Sequence, residues 1–383
     1  MNEFVGVRNV SDCTGQMDRQ RVSTHKLFDP ATGAFLDLPS PDVASPDEFM
    51  SGGCAVTENK AGEVRVVHAV TAKTPSHGLT PESIHTDLAM FDTKSAEPLI
   101  VKRLPEALDR GAWVLSPSTA GFNIISSSSD GKYIESVRYF SADTLEPTAS
   151  AADSDNISIS GALADGYAIA NYSRDSSNVE FFSTDGSKIG EFPSFTGVMP
   201  TDNGFLVERK ADIAGSPAGV YYFDMKSRDT AGPIAPYLPT QDIANFVSRL
   251  WGDTHFFHTY NGNAYGNVIL LKGDKYEAEK YLKVYDTVAK KELYNLTEEQ
   301  LKSLDVDLDS TYVGGDYLYV KKDPDNPVIN YRTGDVASSG WKLLPVVALP
   351  DGWVMLQRTA PGETATGAYL ARGATGPYSG PWF

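Results

Sequence analysis

Long apolar runs are missing from this chain, and none approaches the roughly 20 residues needed to span a bilayer. The opening MNEFVGVRNV also lacks the basic start and apolar middle of a secretory leader. Two expectations remain: an intracellular protein, or a mature ectodomain whose export signal or anchor has been removed. Basic residues are in deficit, with 33 Lys and Arg against 50 Asp and Glu and a formal charge of −17. A surface of that sign repels phosphate backbones and anionic headgroups, which argues against nucleic-acid and direct membrane-surface binding. Cysteine is scarce, at Cys13 and Cys54 only. No segment reads G-x-S-x-G, H-E-x-x-H, a P-loop or a dinucleotide fingerprint.

What is present is globular in composition, 41% hydrophobic and 22% charged, and repetitive. An apolar run ending in an aromatic residue, a short polar turn and a second short run recur in HKLFDPATGAFLDL, DLAMFDTKSAEPLIV, SVRYFSADTLEPTA, NVEFFSTDGSKIGEF, GVYYFDMKSRDTAGPIA, YLKVYDTVAKKELYNL and PVINYRTGDVASSGW, with a degenerate copy in GAYLARGATGPYSGPWF. The anchors are Phe28, Phe91, Phe140, Phe182, Phe223, Tyr285, Tyr331 and Leu370, spaced 39 to 63 residues apart. Upstream of each hairpin from the second copy onward lie two more strand-like segments, as in ISISGAL and GYAIANYS, joined by turns in which Gly or Asp precedes an apolar run.

Four short strands per 40 to 50 residues is the pattern of a propeller blade. The chain resembles the β-propeller superfamily, of WD40-like or quinoprotein-like repeats, over essentially its whole length. No copy carries the Gly-His and Trp-Asp pair, an Asp-box or a tryptophan-docking signature, so no subfamily is indicated. The resemblance implies one all-β domain, 1–383, of four-stranded antiparallel blades with helical insertions on one face. The repeats run at about 4–40, 50–104, 112–150, 157–194, 195–236, 246–297, 310–344 and 345–383. Eight blades are expected, with the C-terminal segment completing the first or last; seven blades and a tail is the alternative.

With strands named A to D within a blade, an antiparallel meander puts A–B and C–D turns at one end and B–C loops and D-to-A links at the other. The B–C connections are expected to hold two insertions, Thr71 to Asp87 and Tyr260 to Lys280. The D-to-A links hold the helix-like pieces PDEFM, LPEALDRG, PTQDIANFV and NLTEEQLKSLDVDLD. Long loops on a rigid scaffold commonly carry function. The expected binding surface therefore includes His77 and His85 from the first insertion, and Arg249, Trp251, His258, Tyr260, Asn261 and Tyr265 at or near the second. Aromatic, Asn and Arg side chains there suit a protein or glycan partner.

His255 and His258 point to opposite faces of an extended strand and make no two-histidine metal grip. Asp305, Asp307 and Asp309 resemble half a calcium loop, but Ser310 replaces its turn glycine; calcium here is a minor alternative to having no cofactor and no metal. The leading expectation is a non-enzymatic recognition or scaffolding propeller binding a protein or cell-envelope polymer. The alternative is a hydrolase, lyase or quinoprotein-like enzyme with its site in the axial funnel. No motif speaks to oligomeric state. Cys13 and Cys54 fall at the loop end of adjacent copies, which favours a disulfide and an extracytoplasmic location over two reduced cytoplasmic thiols. Alkylation of the denatured, unreduced protein is expected to label no cysteine, and to label both after reduction. Two labels before reduction would return the protein to the cytoplasmic reading.

Overall fold

The computed structural model describes residues 5–7, 26–29, 34–37, 43, 46–92, 95, 97–108, 113–127, 134–172, 177–201, 203–209, 217–235, 264–265, 267–273, 281–304, 307–321, 326–339, 345–348, 353–358 and 367–372. They are overwhelmingly strand. The first group is β1 (Val5–Val7), β2 (Lys26–Asp29) and β3 (Ala34–Asp37); β1 pairs β2 in parallel and β2 pairs β3 antiparallel. A four-stranded antiparallel sheet follows, β4 (Glu48–Glu58), β5 (Val64–Thr74), β6 (Ser83–Phe91) and β7 (Ile100–Arg103).

Next come β8 (Trp113–Ser118), β9 (Gly121–Ser127), β10 (Ile134–Ser141) and β11 (Pro147–Ala152), then β12 (Ile157–Leu163), β13 (Gly166–Tyr172), β14 (Ser177–Ser183) and β15 (Lys188–Pro193). A bridge from Ile134 to Ile159 joins these two meanders into one sheet. Three further meanders are β16 (Phe195–Pro200) to β19 (Thr230–Ala235) through β17 (Gly204–Arg209) and β18 (Gly219–Asp224), β20 (Ala264–Tyr265) to β23 (Lys291–Leu296) through β21 (Val268–Gly273) and β22 (Tyr281–Asp286), and β24 (Asp307–Gly314) to β27 (Val336–Ser338) through β25 (Tyr317–Lys321) and β26 (Val328–Asn330). The last group is β28 (Pro345–Ala348), β29 (Trp353–Arg358) and β30 (Gly367–Arg372). Each terminal group has three strands among the described residues, so completion of a four-stranded terminal blade lies outside them. Contacts divide the chain into two compact units, one reaching Glu191 and one starting at Phe192.

The recurring sequence pattern has a local cause. The aromatic anchors end the C strand and are buried, as at Phe91, Phe140, Phe223 and Tyr285. The Asp that follows folds its carboxylate onto the next turn. Asp92 Oδ1 accepts from the Ser95 amide at 2.7 Å, Asp224 Oδ1 from Lys226 and Ser227 at 2.9 and 2.6 Å, and Asp286 Oδ1 from Val288 and Ala289 at 3.0 and 2.9 Å. The glycine that opens strand B answers a second demand. A Cβ on Gly121 would lie 2.0 Å from the Phe140 carbonyl oxygen, and one on Gly204 would lie 2.1 Å from that of Phe223. Only a residue without Cβ lets strand B start that close to strand C.

Within the first unit, one apolar cluster fills the space between β4–β7 and β8–β11, with Val67, Leu88 and Met90 against Trp113, Leu115, Phe122 and Ile124. The next interface stacks Tyr139 on Tyr167 at 5.7 Å between ring centroids, and Tyr167 on Phe182 at 5.2 Å. In the second unit Leu206, Val220 and Tyr222 meet Ile269, Leu271 and Tyr285, and a further cluster joins Leu270, Leu282 and Val284 to Val313, Leu318 and Ile329. Helix α1 (Glu298–Leu304) fills the link before β24 and buries Leu301 in the latter cluster. Its start is a capping box: the Thr297 amide donates to Gln300 Oε1 at 2.9 Å, and the Gln300 amide reaches back to Thr297 Oγ1 at 3.4 Å.

At the turn end, neighbouring meanders are latched to one another. Thr57 Oγ1 donates to the Ser118 and Gly121 carbonyls, the Thr119 amide donates to Ala164 O at 2.8 Å, and Thr148 Oγ1 donates to Thr184 O at 2.8 Å. Lys102 pairs with Glu146. In the second unit Asn203 meets Asn267 at 3.3 Å and Lys290 meets Asp229 at 3.3 Å. The buried Tyr139 hydroxyl sits 2.8 Å from Leu163 O and 2.6 Å from Gly166 O, tying its own meander to the A–B turn of the next. Burial raises its pKa well above the ordinary tyrosine value. Tyr139→Phe is expected to destabilise the protein by about 1–2 kcal/mol, because two buried carbonyls lose their donor. A lower urea midpoint at unchanged slope is the readout; an unchanged midpoint would remove this clamp from the account.

Candidate functional site

The loop end is best described in the sheet β4–β7, where three strands run on past their counterparts. Strands β4, β5 and β6 have 11, 11 and 9 residues, against 6 to 8 in β8, β9 and β10. The segment Thr71 to Asp87, expected as a loop, is therefore mostly ladder. Ala72 pairs His85, Lys73 pairs Ile84 and Thr74 pairs Ser83. The period-2 alternation and β-branched Thr71, Thr74, Ile84 and Thr86 carry the strands through, so the true connection is 75–82. PDEFM is likewise not helical, because Glu48 to Met50 open β4.

The hairpin closes at His77 to Thr80, which exchange backbone hydrogen bonds of 3.1 and 3.0 Å. Gly78 has φ +59 while Leu79 stays at negative φ, which makes a type II′ turn with glycine at its first central position. His77 is exposed in this turn, whereas His85 is buried at the base of the arm.

The base is polar and tightly held. Thr71 Oγ1 and Thr86 Oγ1 lie 2.8 Å apart, the Leu108 amide donates to Thr86 Oγ1 at 2.9 Å, and the Leu104 amide donates to Thr86 O at 2.8 Å. On the opposite sheet face, His85 Nε2 stands 3.4 Å from Asp47 Oδ2 and 3.6 Å from Asp87 Oδ2. Asp87 is also gripped by Arg103, Nε to Oδ1 at 2.8 Å and a terminal nitrogen to Oδ2 at 2.9 Å. That bond raises the Arg103 pKa further above its ordinary value. His85 Nδ1 is buried with no hydrogen-bond partner among the described residues, as are Ser51 Oγ and Trp113 Nε1 on the other face. The sequence reading singled out His85 but neither Asp47, Asp87 nor Arg103. The Asp87–Arg103 pair follows from their register across β6 and β7.

Arg249, Trp251, His258, Tyr260 and Asn261 lie outside the described residues. Tyr265 ends β20 and pairs Val268 across an A–B turn, so it stands at the turn end and not in a B–C insertion. The stretch VILLKG, expected within that insertion, is strand β21 and leaves only 274–280 between β21 and β22. Asp305 lies outside the described residues, and Asp307 and Asp309 belong to β24. No three His, Cys, Asp or Glu side chains among the described residues are grouped to hold a metal ion. Cys54 is buried in β4 opposite His68, and Cys13 lies outside the described residues. No helix among the described residues is long and apolar enough to cross a membrane.

No protein-family model matches the sequence, and no curated protein does. Among solved structures, the chain is similar to the β-propeller domain of the Trilobed protease from Pyrococcus furiosus, with 11% identity, TM-score 0.39, and 84% of this chain and 98% of that one covered. BamB from Moraxella catarrhalis matches at 10% identity and TM-score 0.35, covering 85% and 86%. TolB from Acinetobacter baumannii matches at 9% identity and TM-score 0.24, covering 76% of each chain. These likenesses assign no residue and no ligand.

The buried, unmet nitrogen of His85 is a stability cost on the order of 1 kcal/mol or more. His85→Phe, which keeps a planar ring and removes that nitrogen, is expected to hold or raise the urea midpoint at pH 8. A loss above about 1 kcal/mol would show that the carboxylate contacts at Nε2 outweigh the orphaned Nδ1.

Proposed function

We propose that the meanders are blades of an eight-bladed β-propeller that recognises a protein partner through its loop end, without catalysis, in an extracytoplasmic setting. The observation that carries this reading is the asymmetry between the two ends. At the turn end, Thr57, Thr119, Thr148 and Tyr139 are engaged with the neighbouring meander. At the loop end of β4–β7, strands overrun the sheet, and charged and buried polar groups collect without saturating one another. A disulfide between Cys13 and Cys54 is part of the same proposal and fits an oxidising compartment.

The test is capture from native cell-envelope and soluble extracts with three full-length forms: wild type, a loop-end variant Glu106→Lys/Asp155→Lys at exposed positions in two D-to-A links, and a turn-end variant Val288→Glu at an exposed C–D turn position. Each is first shown to melt like wild type. A partner held by wild type and the turn-end variant, and lost at least tenfold by the loop-end variant, is the expected result. Equal capture by all three, or capture of nothing, overturns the reading.

A further inference from the structure

Leu79 is fully solvent-exposed, at 105% of its reference surface, on the apex of the β5–β6 hairpin. Residues 76–84 are all exposed, and a Cβ on Gly78 would meet nothing within 4 Å, so the tip stands clear of the other described residues. An apolar side chain at that place gains nothing for the fold. Its presentation is nevertheless stiff. The type II′ turn is closed by two backbone hydrogen bonds, Pro75 and Pro81 flank it, and Lys73 Nζ bridges to Glu82 at 2.7 Å across the hairpin. The strand overhang lifts the tip by about 10 Å at roughly 3.3 Å per residue. Below it, the Thr71–Thr86 and Asp87–Arg103 bonds fix the base.

We propose that the β5–β6 arm is a docking finger that seats Leu79 in an apolar socket with a basic rim on a partner protein. This rests on the loop-end recognition reading and names its anchor. A Leu carried on a backbone already fixed by its turn adds little backbone ordering cost when it enters a pocket, which is how a preorganised loop gains affinity. Charge selects the occupant. Glu82 is paired with Lys73 and Asp87 with Arg103, so the net charge of the arm and its base is the negative charge of Asp47 and Glu48, on a chain of formal charge −17. A second copy would bring like charge to like, and an anionic bilayer would repel the same acidic groups, while a lone Leu anchors a protein only weakly to lipid. A socket rimmed by Lys or Arg complements both features.

The experiment places a photoreactive phenylalanine analogue at position 79 of the full-length protein and irradiates it in native extract. The adduct is identified, and that partner is then purified and titrated with the wild type, Leu79→Glu, Leu79→Met and Glu48→Lys/Glu82→Lys forms. Expected are a crosslink to a partner segment lined by apolar residues beside Lys or Arg, at least tenfold weaker binding for Leu79→Glu, near-wild-type binding for Leu79→Met, weaker binding for Glu48→Lys/Glu82→Lys, and weaker binding of wild type as salt rises. The position is exposed, and unchanged melting curves exclude misfolding as the cause. A crosslink to a second copy, a crosslink to lipid in phosphatidylcholine–phosphatidylglycerol vesicles, no adduct, or unchanged affinity of Leu79→Glu overturns the finger. Binding lost in Glu106→Lys/Asp155→Lys but kept in Leu79→Glu overturns the finger alone and leaves loop-end recognition standing.

Discussion

Both faces of the middle strands are apolar, and that is the constraint on which the other features depend. Every residue of β17 and of β18 is buried, and in β9 only Ser126 is not. A sheet with two apolar faces needs a neighbour on each side, so a single meander of this kind has no stable existence alone. Repetition follows from burial. Stacked aromatic pairs such as Tyr139 with Tyr167 then set how closely successive sheets approach.

Two-sided burial leaves the strand ends as the places where polar chemistry can be spent, and the two ends spend it differently. At the turn end, Asp carboxylates, Thr hydroxyls and the Tyr139 hydroxyl satisfy turn amides and carbonyls of their own or the adjacent meander. Such groups are poor ligands for anything else, since each is already paired in a geometry the fold requires. At the loop end of β4–β7, the strands continue beyond the shared core. Their side chains are released from packing duty, which is where an acidic, stiff hairpin with an apolar tip can be carried at little cost to the rest.

The parts of the fold legible in the sequence are those with local causes. The aromatic–Asp pair marks the end of strand C because the Asp caps the following turn, and the Gly–aromatic pair marks strand B because of the approach to a carbonyl oxygen. Thr71 to Asp87 was misread because histidine, two prolines and glycine look like loop, while the alternation that keeps it in the ladder shows only once the register is known. Tyr260 to Lys280 was misplaced because strand A of that meander is two residues long, Ala264 and Tyr265, too short to leave a pattern. Without it, VILLKG fell on the wrong side of strand B. The cluster of Asp47, His85, Asp87 and Arg103 draws on three segments and becomes visible only through cross-strand pairing.

The bridge between Ile134 and Ile159 makes β8–β11 and β12–β15 one hydrogen-bonded sheet, and beside it the β10–β11 ladder of the first meander runs on through the Asp153 amide, which donates to Glu135 O at 2.8 Å. Opening this sheet requires breaking bonds between meanders as well as the packing between their faces. The amides beside this bridge are therefore expected to exchange more slowly than those at the edges of meanders joined by side-chain packing alone.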